Sequence, residues 1–327
     1  METLGLASLA MLSGLIGLVW GADRFVAGSA GAARNYGISP MVIGLTIVSI
    51  GTSAPEIIVS INAAFNDAGD IGVGNAIGSN LANIGLVLGL TAVICPIPIR
   101  RDLLKTETVA LLVATFIAGI FLYDGNLTRT EGIILLITIF PLLAFIFYCK
   151  KMNPSAKIIE PTSNVISIST KKSIALFLSG LAVLLVSSDL LVWGAKEFAH
   201  VFGISQLIIG LTVVAIGTSL PELAASIISA TKGHHDIAIG AIFGSNLFNL
   251  LVVMAAPGII SPLALNQEVF FRDYLSMALL TLILSGIIAS LLWQKRAKSH
   301  QANISRTVGL TLLLLYALYY VLLIFGA

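Results

Sequence analysis

Apolar residues along this chain neither alternate with polar ones nor keep to one face of a short helix. They run in blocks of about 20, the length a helix needs to cross a bilayer. The pattern predicts ten spans, at roughly 4–26, 39–66, 72–95, 104–123, 130–149, 173–198, 205–231, 237–263, 271–293 and 306–326. The lack of period-two alternation argues against a membrane barrel. The predicted class is therefore an all-α polytopic membrane protein. The first block starts almost at Met1 without a basic stretch or cleavage site before it, so it reads as a retained span. The longest connection, residues 150–172, is polar and holds two prolines. It separates a first five-helix unit, 1–149, from a second, 173–327.

The two units resemble each other at a constant offset of 166 residues. Ser13-Gly14-Leu15 matches Ser179-Gly180-Leu181, Asp23 matches Asp189, and Gly37-Ile38-Ser39 matches Gly203-Ile204-Ser205. The register continues through "GTSAPE" at 51–56 and "GTSLPE" at 217–222, then "GSNLAN" at 78–83 and "GSNLFN" at 244–249. Five spans separate the copies, an odd number, so the second repeat is expected to be inverted. Inverted repeats are characteristic of secondary transporters, which bind their substrates near the midplane where the repeats meet.

Charge refines this picture. The chain is 57% hydrophobic and only 10% charged, where a soluble domain carries about 25% charged residues. Of its 18 basic residues, 15 fall in or beside the loops after the odd-numbered spans. The positive-inside rule then places the linker in the cytoplasm and both termini outside. The compact chain and short linker point to a bacterial inner membrane. Cys95 and Cys149 are isolated and read as structural. His234 and His235 read as a solvated turn, and Asp23 and Asp189 as structural or gating residues near helix ends.

A polar stripe crosses these apolar blocks. Ser49, Thr52, Ser53, Glu56 and Ser60 recur at three- and four-residue intervals, on one helix face. Ala215, Thr218, Ser219, Glu222 and Ser226 occupy the equivalent positions of the second unit. Pro55 and Pro221 cannot donate to the carbonyls of Gly51 and Gly217, so each should bend its helix within the bilayer. Asn75, Ser79 and Asn83 form a second stripe, matched by Ala241, Ser245 and Asn249. The spacings Gly74/Gly78 and Gly240/Gly244 would admit a close neighbouring helix.

These side chains offer only oxygen: two carboxylates, hydroxyls, amides and opened carbonyls. Hard cations prefer such ligands, and Ca²⁺ takes roughly 6–8 oxygens. No histidine or cysteine stands at these positions, which disfavours soft transition metals. A glutamate at mid-membrane costs on the order of 3 kcal/mol on insertion scales, so two in matched places require a role. Two negative charges balance one divalent ion or two monovalent ones.

The paired motifs "GTSAPE" with "GNAIGSNLAN", and "GTSLPE" with "GAIFGSNLFN", resemble those of the Ca²⁺/cation antiporters, in particular the prokaryotic-type sodium/calcium exchanger branch. The resemblance covers essentially the whole chain. It implies a metal site of Glu56 and Glu222 with Thr52, Ser53, Thr218, Ser219, Ser79 and Ser245, backbone carbonyls at Ser49 and Ala215, and the amide pair Asn83 and Asn249. It implies no cofactor: Ca²⁺ and Na⁺ are the transported substrates, and the partner is the lipid bilayer. Neither nucleic acid nor a protein partner is expected, and the chain is expected to act as a monomer. Asn249 stands where potassium-dependent relatives carry Asp, and Ser79-Asn80 where the proton-coupled branch carries Glu-His. The expected function is therefore Ca²⁺/Na⁺ antiport by alternating access. A Ca²⁺/H⁺ antiporter and a passive cation channel are the alternatives. No nucleophile–base pair marks the spans as an enzyme.

Overall fold

A computed structural model describes residues 2–152, 168–201, 215–294 and 302–325. Among these, eight helices are long and apolar enough to cross a membrane. A bent pair, α2 (Pro40–Thr52) and α3 (Ala54–Phe65), counts as a ninth if taken as one span. The seventh expected span, 205–231, is described only from residue 215. It begins with α8 (Ala215–Thr218) and α9 (Leu220–Thr231).

Two long helices form a unit of their own. In α1 (Glu2–Tyr36) and α7 (Thr170–Val201), glycines replace side chains wherever the backbones meet. A Cβ on Gly28 would come within 2.3 Å of the Phe177 nitrogen, and one on Gly180 within 2.3 Å of the Phe25 nitrogen. Gly14 meets Ser187 and Leu191 while Gly28 meets Phe177, so the helices run antiparallel. In lipid, where apolar surface gains little by leaving the solvent, such backbone proximity is what holds helices together.

The remaining helices build a block around α4 (Gly69–Ile94) and α10 (His235–Ile260). The apolar stretch of α10 is 94% buried within the protein and that of α4 72%, against 17–50% for the peripheral spans and 28% for α1. Peripheral helices are α5 (Arg101–Leu122), α6 (Arg129–Met152), α11 (Val269–Gln294) and α12 (Arg306–Phe325). Gly44 of α2 faces Gly240 of α10 so closely that a Cβ on either would strike the other helix's backbone at 2.4–2.5 Å. The Gly240/Gly244 spacing thus makes the expected close approach. Gly74 and Gly78 have no described neighbour within 4 Å of an added Cβ, and the residues that the offset would place there, 207–215, fall almost wholly outside the described residues.

Short strands clip the loops together. β1 (Ile97–Ile99) pairs antiparallel with β4 (Ala302–Ile304), and β2 (Asn126–Leu127) with β3 (Leu263–Ala264). At the end of the molecule that carries the linker, Lys150 meets Asp102, Arg100 meets Asp236 at 3.9 Å, and Asp23 meets Lys232 at 2.5 Å. At the opposite end Ser261 donates to Asp67 and Arg129 to the Ile259 carbonyl. Loops after odd spans thus gather at one end and loops after even spans at the other. His234 and His235 are half-buried beside this linker end, not fully solvated as their loop position suggested.

One ion cluster lies in the protein interior. Lys150, at the end of α6, reaches Asp102 at 2.5 Å and the fully buried Glu107 at 2.9 Å, while Thr106 also donates to Glu107. Removing one partner of a buried pair leaves the other charge uncompensated, at a cost of about 3–5 kcal/mol. Lys150→Met should therefore lower the thermal midpoint in detergent far more than Lys151→Met, because Lys151 is exposed. Equal midpoints for the two variants would exclude this role.

Candidate functional site

The GTSxPE segments lie at helix breaks. The chain leaves helical geometry at Ser53 and at Ser219, and Pro55 and Pro221 sit in the first turns of α3 and α9, where a missing N–H costs least. The axes of α2 and α3 differ by 47°. Of the carbonyls that proline cannot engage, that of Gly217 accepts a 2.9 Å hydrogen bond from Ser188 of α7. The broken helix is thereby tied to the two-helix unit.

Three segments beside the site depart from α-helical winding. Gly44–Val48, Asn83–Leu88 and Asn249–Val253 are π-helical, a form that is rare and concentrated at functional sites. Both predicted central amides, Asn83 and Asn249, stand at the first position of such a turn. Nothing in residue spacing announced these turns, because an i→i+5 bond leaves no period of its own over five or six residues.

Most of the predicted site residues are buried: Ser49, Thr52, Ser53, Glu56, Ser79, Asn83, Ser219, Glu222, Ser245 and Asn249. Thr218 is half-buried, and the side chain of Ala215 lies outside the described residues. Ser53 donates to Glu222 Oε1 at 2.9 Å, joining the two motifs directly across 169 residues. Asn75 donates to the Glu56 carbonyl at 3.2 Å.

What these groups lack is as informative as what they hold. Glu56 Oε2, Glu222 Oε2, Asn83 Oδ1, Ser219 Oγ and both amide atoms of Asn249 are buried and make no hydrogen bond among the described residues. Buried polar atoms are normally satisfied, and leaving a carboxylate oxygen so is expensive. An array of unsatisfied oxygens around two carboxylates fits a cation. Ser49 and Thr52 differ: each hydroxyl donates to its own helix, Ser49 to the Leu45 carbonyl at 2.6 Å and Thr52 to that of Val48 at 3.2 Å. Their lone pairs and carbonyls are what they can offer.

The stripe reading missed one tie between the motifs. Asn80 Nδ2 donates to the Asn246 carbonyl at 3.3 Å, and both residues are buried. They follow Ser79 and Ser245 directly, and the repeated "GSN" was the available signal. Ser60, which the stripe did include, donates to the Val253 carbonyl of the π-turn at 2.6 Å.

A helical membrane protein with two buried glutamates among unsatisfied oxygens, held at broken and π-wound helices, defines a membrane cation exchanger by fold and site. The chain matches the sodium/calcium exchanger protein family over residues 6–148 and 172–325, and it belongs to that family. It is 45% identical over 287 residues to the putative antiporter CaxA of Alkalimonas amylolytica, covering 85% of this chain and 88% of the other. It is 31% identical to the sodium/calcium exchanger MaX1 of Methanosarcina acetivorans, over 97% and 98% of the two chains. Its structure superposes on the sodium-calcium exchanger NCX_Mj, soaked without Na⁺ and Ca²⁺, with a TM-score of 0.81. That pair shares 34% identity, with 97% of this chain and 98% of that one covered.

Proposed function

We propose that this protein is an antiporter that exchanges Ca²⁺ for Na⁺ by alternating access. The observation that carries this reading is the buried pair Glu56 and Glu222, drawn from two motifs 166 residues apart and linked through Ser53, with unsatisfied oxygens around them. Thr52, Thr218, Ser79, Ser245, Ser219, Asn83 and Asn249 complete the ligand set, with carbonyls at Ser49 and Ala215. Ca²⁺ neutralises the two carboxylates, and so does a load of Na⁺. The empty site carries two uncompensated charges, whose passage through a low-dielectric barrier is costly. That penalty couples the two ion loads.

The arrangement we favour is ten spans in two inverted repeats. The antiparallel packing of α1 on α7, each the first helix of its unit, supports it, as does the sorting of odd and even loops to opposite ends. The two-helix unit slides against the block that holds the ions, and Ser188 on Gly217 is a contact through which the motion reaches the site. The linker faces the cytoplasm of a bacterial cell, with both termini outside.

Radioactive calcium flux into proteoliposomes, under one imposed gradient at a time, tests the coupling. An outward Na⁺ gradient is expected to drive uptake in the absence of any pH gradient. Uptake driven by a pH gradient in sodium-free buffer would show proton coupling instead. Flux that follows the calcium gradient alone, with no counter-ion, would show a channel.

A further inference from the structure

Two helices, α9 and the end of α4, run side by side from the candidate site to the linker end, and they carry hydroxyls that the site itself does not use. On α9, Ser226 lies one turn below Glu222 and Ser229 about one turn further. On α4, Thr91 follows the π-turn Asn83–Leu88, and both the π-turn and the end of α4 pack on α9. The register between them is fixed by Cys95, whose Sγ lies 3.5 Å from the Ala230 carbonyl. Thr91 is four residues before Cys95 and Ser226 four before Ala230, so in two helices running the same way Thr91 stands level with Ser226.

All three hydroxyls are buried, at 0–1% exposure, and none makes a hydrogen bond among the described residues. Most other helix hydroxyls in this molecule are satisfied. Ser29, Thr46, Ser49, Thr115, Thr231 and Thr281 all turn back to a carbonyl of their own helix, the ordinary fate of a hydroxyl in an apolar helix. The positions 166 residues away differ. Ser60 matches Ser226 but is satisfied by the Val253 carbonyl, Ala63 stands for Ser229, and Pro257 for Thr91. A Cβ on Gly72 would meet Ser60 Oγ at 2.6 Å and Pro257 Cγ at 2.7 Å, so these matched positions pack closely together. Among the described residues the matched positions therefore differ: satisfied or apolar in one half, unsatisfied hydroxyls in the other.

We infer that Thr91, Ser226 and Ser229 form a staging site for the exchanged cation between Glu222 and the linker end. The inference rests on the antiport reading and adds a second, one-sided site to it. Three neutral oxygens without a carboxylate hold a hard cation only weakly. Such a site replaces part of the hydration shell during entry and releases the ion to the stronger ligands above. It acts on traffic through the linker end, because the matched described positions, Ser60, Ala63 and Pro257, offer no equivalent set of free hydroxyls.

Sidedness is the test. Thr91→Val, Ser226→Ala and Ser229→Ala, combined in reconstituted protein of defined orientation, should raise the KM for Ca²⁺ presented at the linker end at least threefold. The KM at the opposite end should stay at the wild-type value. An equal rise at both ends, or none, overturns the proposal. A second readout does not depend on exchange. In a Cys95→Ser, Cys149→Ser background, Ser229→Cys should react with a membrane-impermeant thiol reagent added at the linker end, and millimolar Ca²⁺ should slow the reaction. Ala63→Cys should stay unlabelled. Labelling of Ser229→Cys from the opposite end only, or from neither, rejects the staging site. Loss of the antiport reading itself would show separately, as absence of Na⁺-driven flux in the wild type.

Discussion

Glu56→Gln and Glu222→Gln are each expected to abolish Na⁺-driven calcium uptake while leaving a folded, monodisperse protein. Each substitution keeps the shape of the side chain and removes half of the charge that balances Ca²⁺. With one carboxylate gone, the divalent ion sits in a buried site with an excess positive charge. Penalties for an uncompensated buried charge run to about 3–5 kcal/mol, equivalent to roughly 10²- to 10⁴-fold in affinity. Calcium should also stop protecting the variants against heat. A ligand at a hundred times its Kd stabilises a protein by about 2.7 kcal/mol, and that increment should vanish in both variants. Both measurements are needed, because flux alone does not separate lost binding from lost folding. Wild-type uptake and wild-type calcium protection in both variants would remove the two glutamates from the site.

Gly244→Val should have the other large effect, through packing. A Cβ at this position would lie 2.3 Å from the Leu45 carbonyl oxygen and 2.5 Å from Ser49 Oγ. The neighbour at fault is backbone, which cannot rotate away, so α10 must withdraw from α2. Overpacking of this kind costs typically 1–3 kcal/mol and more where backbone is displaced. The displaced helix also carries Ser245 and Asn249, so transport should fail even in the fraction that folds. Gly286→Ala is the control: nothing lies within 4 Å of its Cβ, and alanine favours the helix by about 0.8–1.0 kcal/mol over glycine. Thermal midpoints and calcium flux measured on both would decide the matter. A Gly244→Val protein as stable and active as the wild type would show that close helix contact is not required.

The sequence by itself reached far into this protein because the bilayer leaves few choices. A span must be about 20 apolar residues and must satisfy its own backbone, so block length alone marked most of the helices. A glutamate or a mid-span proline is costly enough in that solvent that its repetition identified Glu56, Glu222, Pro55 and Pro221 before any coordinates. The matched stripes likewise named the hydroxyls and amides, since helical period puts residues three and four apart on one face. Other features had no such signal. The π-turns at Asn83 and Asn249, the reach of Ser53 to Glu222 and the capture of the Gly217 carbonyl by Ser188 depend on groups distant in sequence. The same holds for the half-buried setting of His234 and His235, and for Lys150, which looked like one more basic residue of a loop and proved to neutralise a buried glutamate.

Residue type and period thus determined the class, most of the spans and the candidate ligands, because those follow from local cost in a membrane. Tertiary structure decided which oxygens are spent on the protein and which are left unsatisfied. Ser60 and Ser226 are equal in the repeat, yet only Ser60 finds a carbonyl. Hydrogen-bond satisfaction belongs to pairs of groups, and a pair exists only once the helices have met.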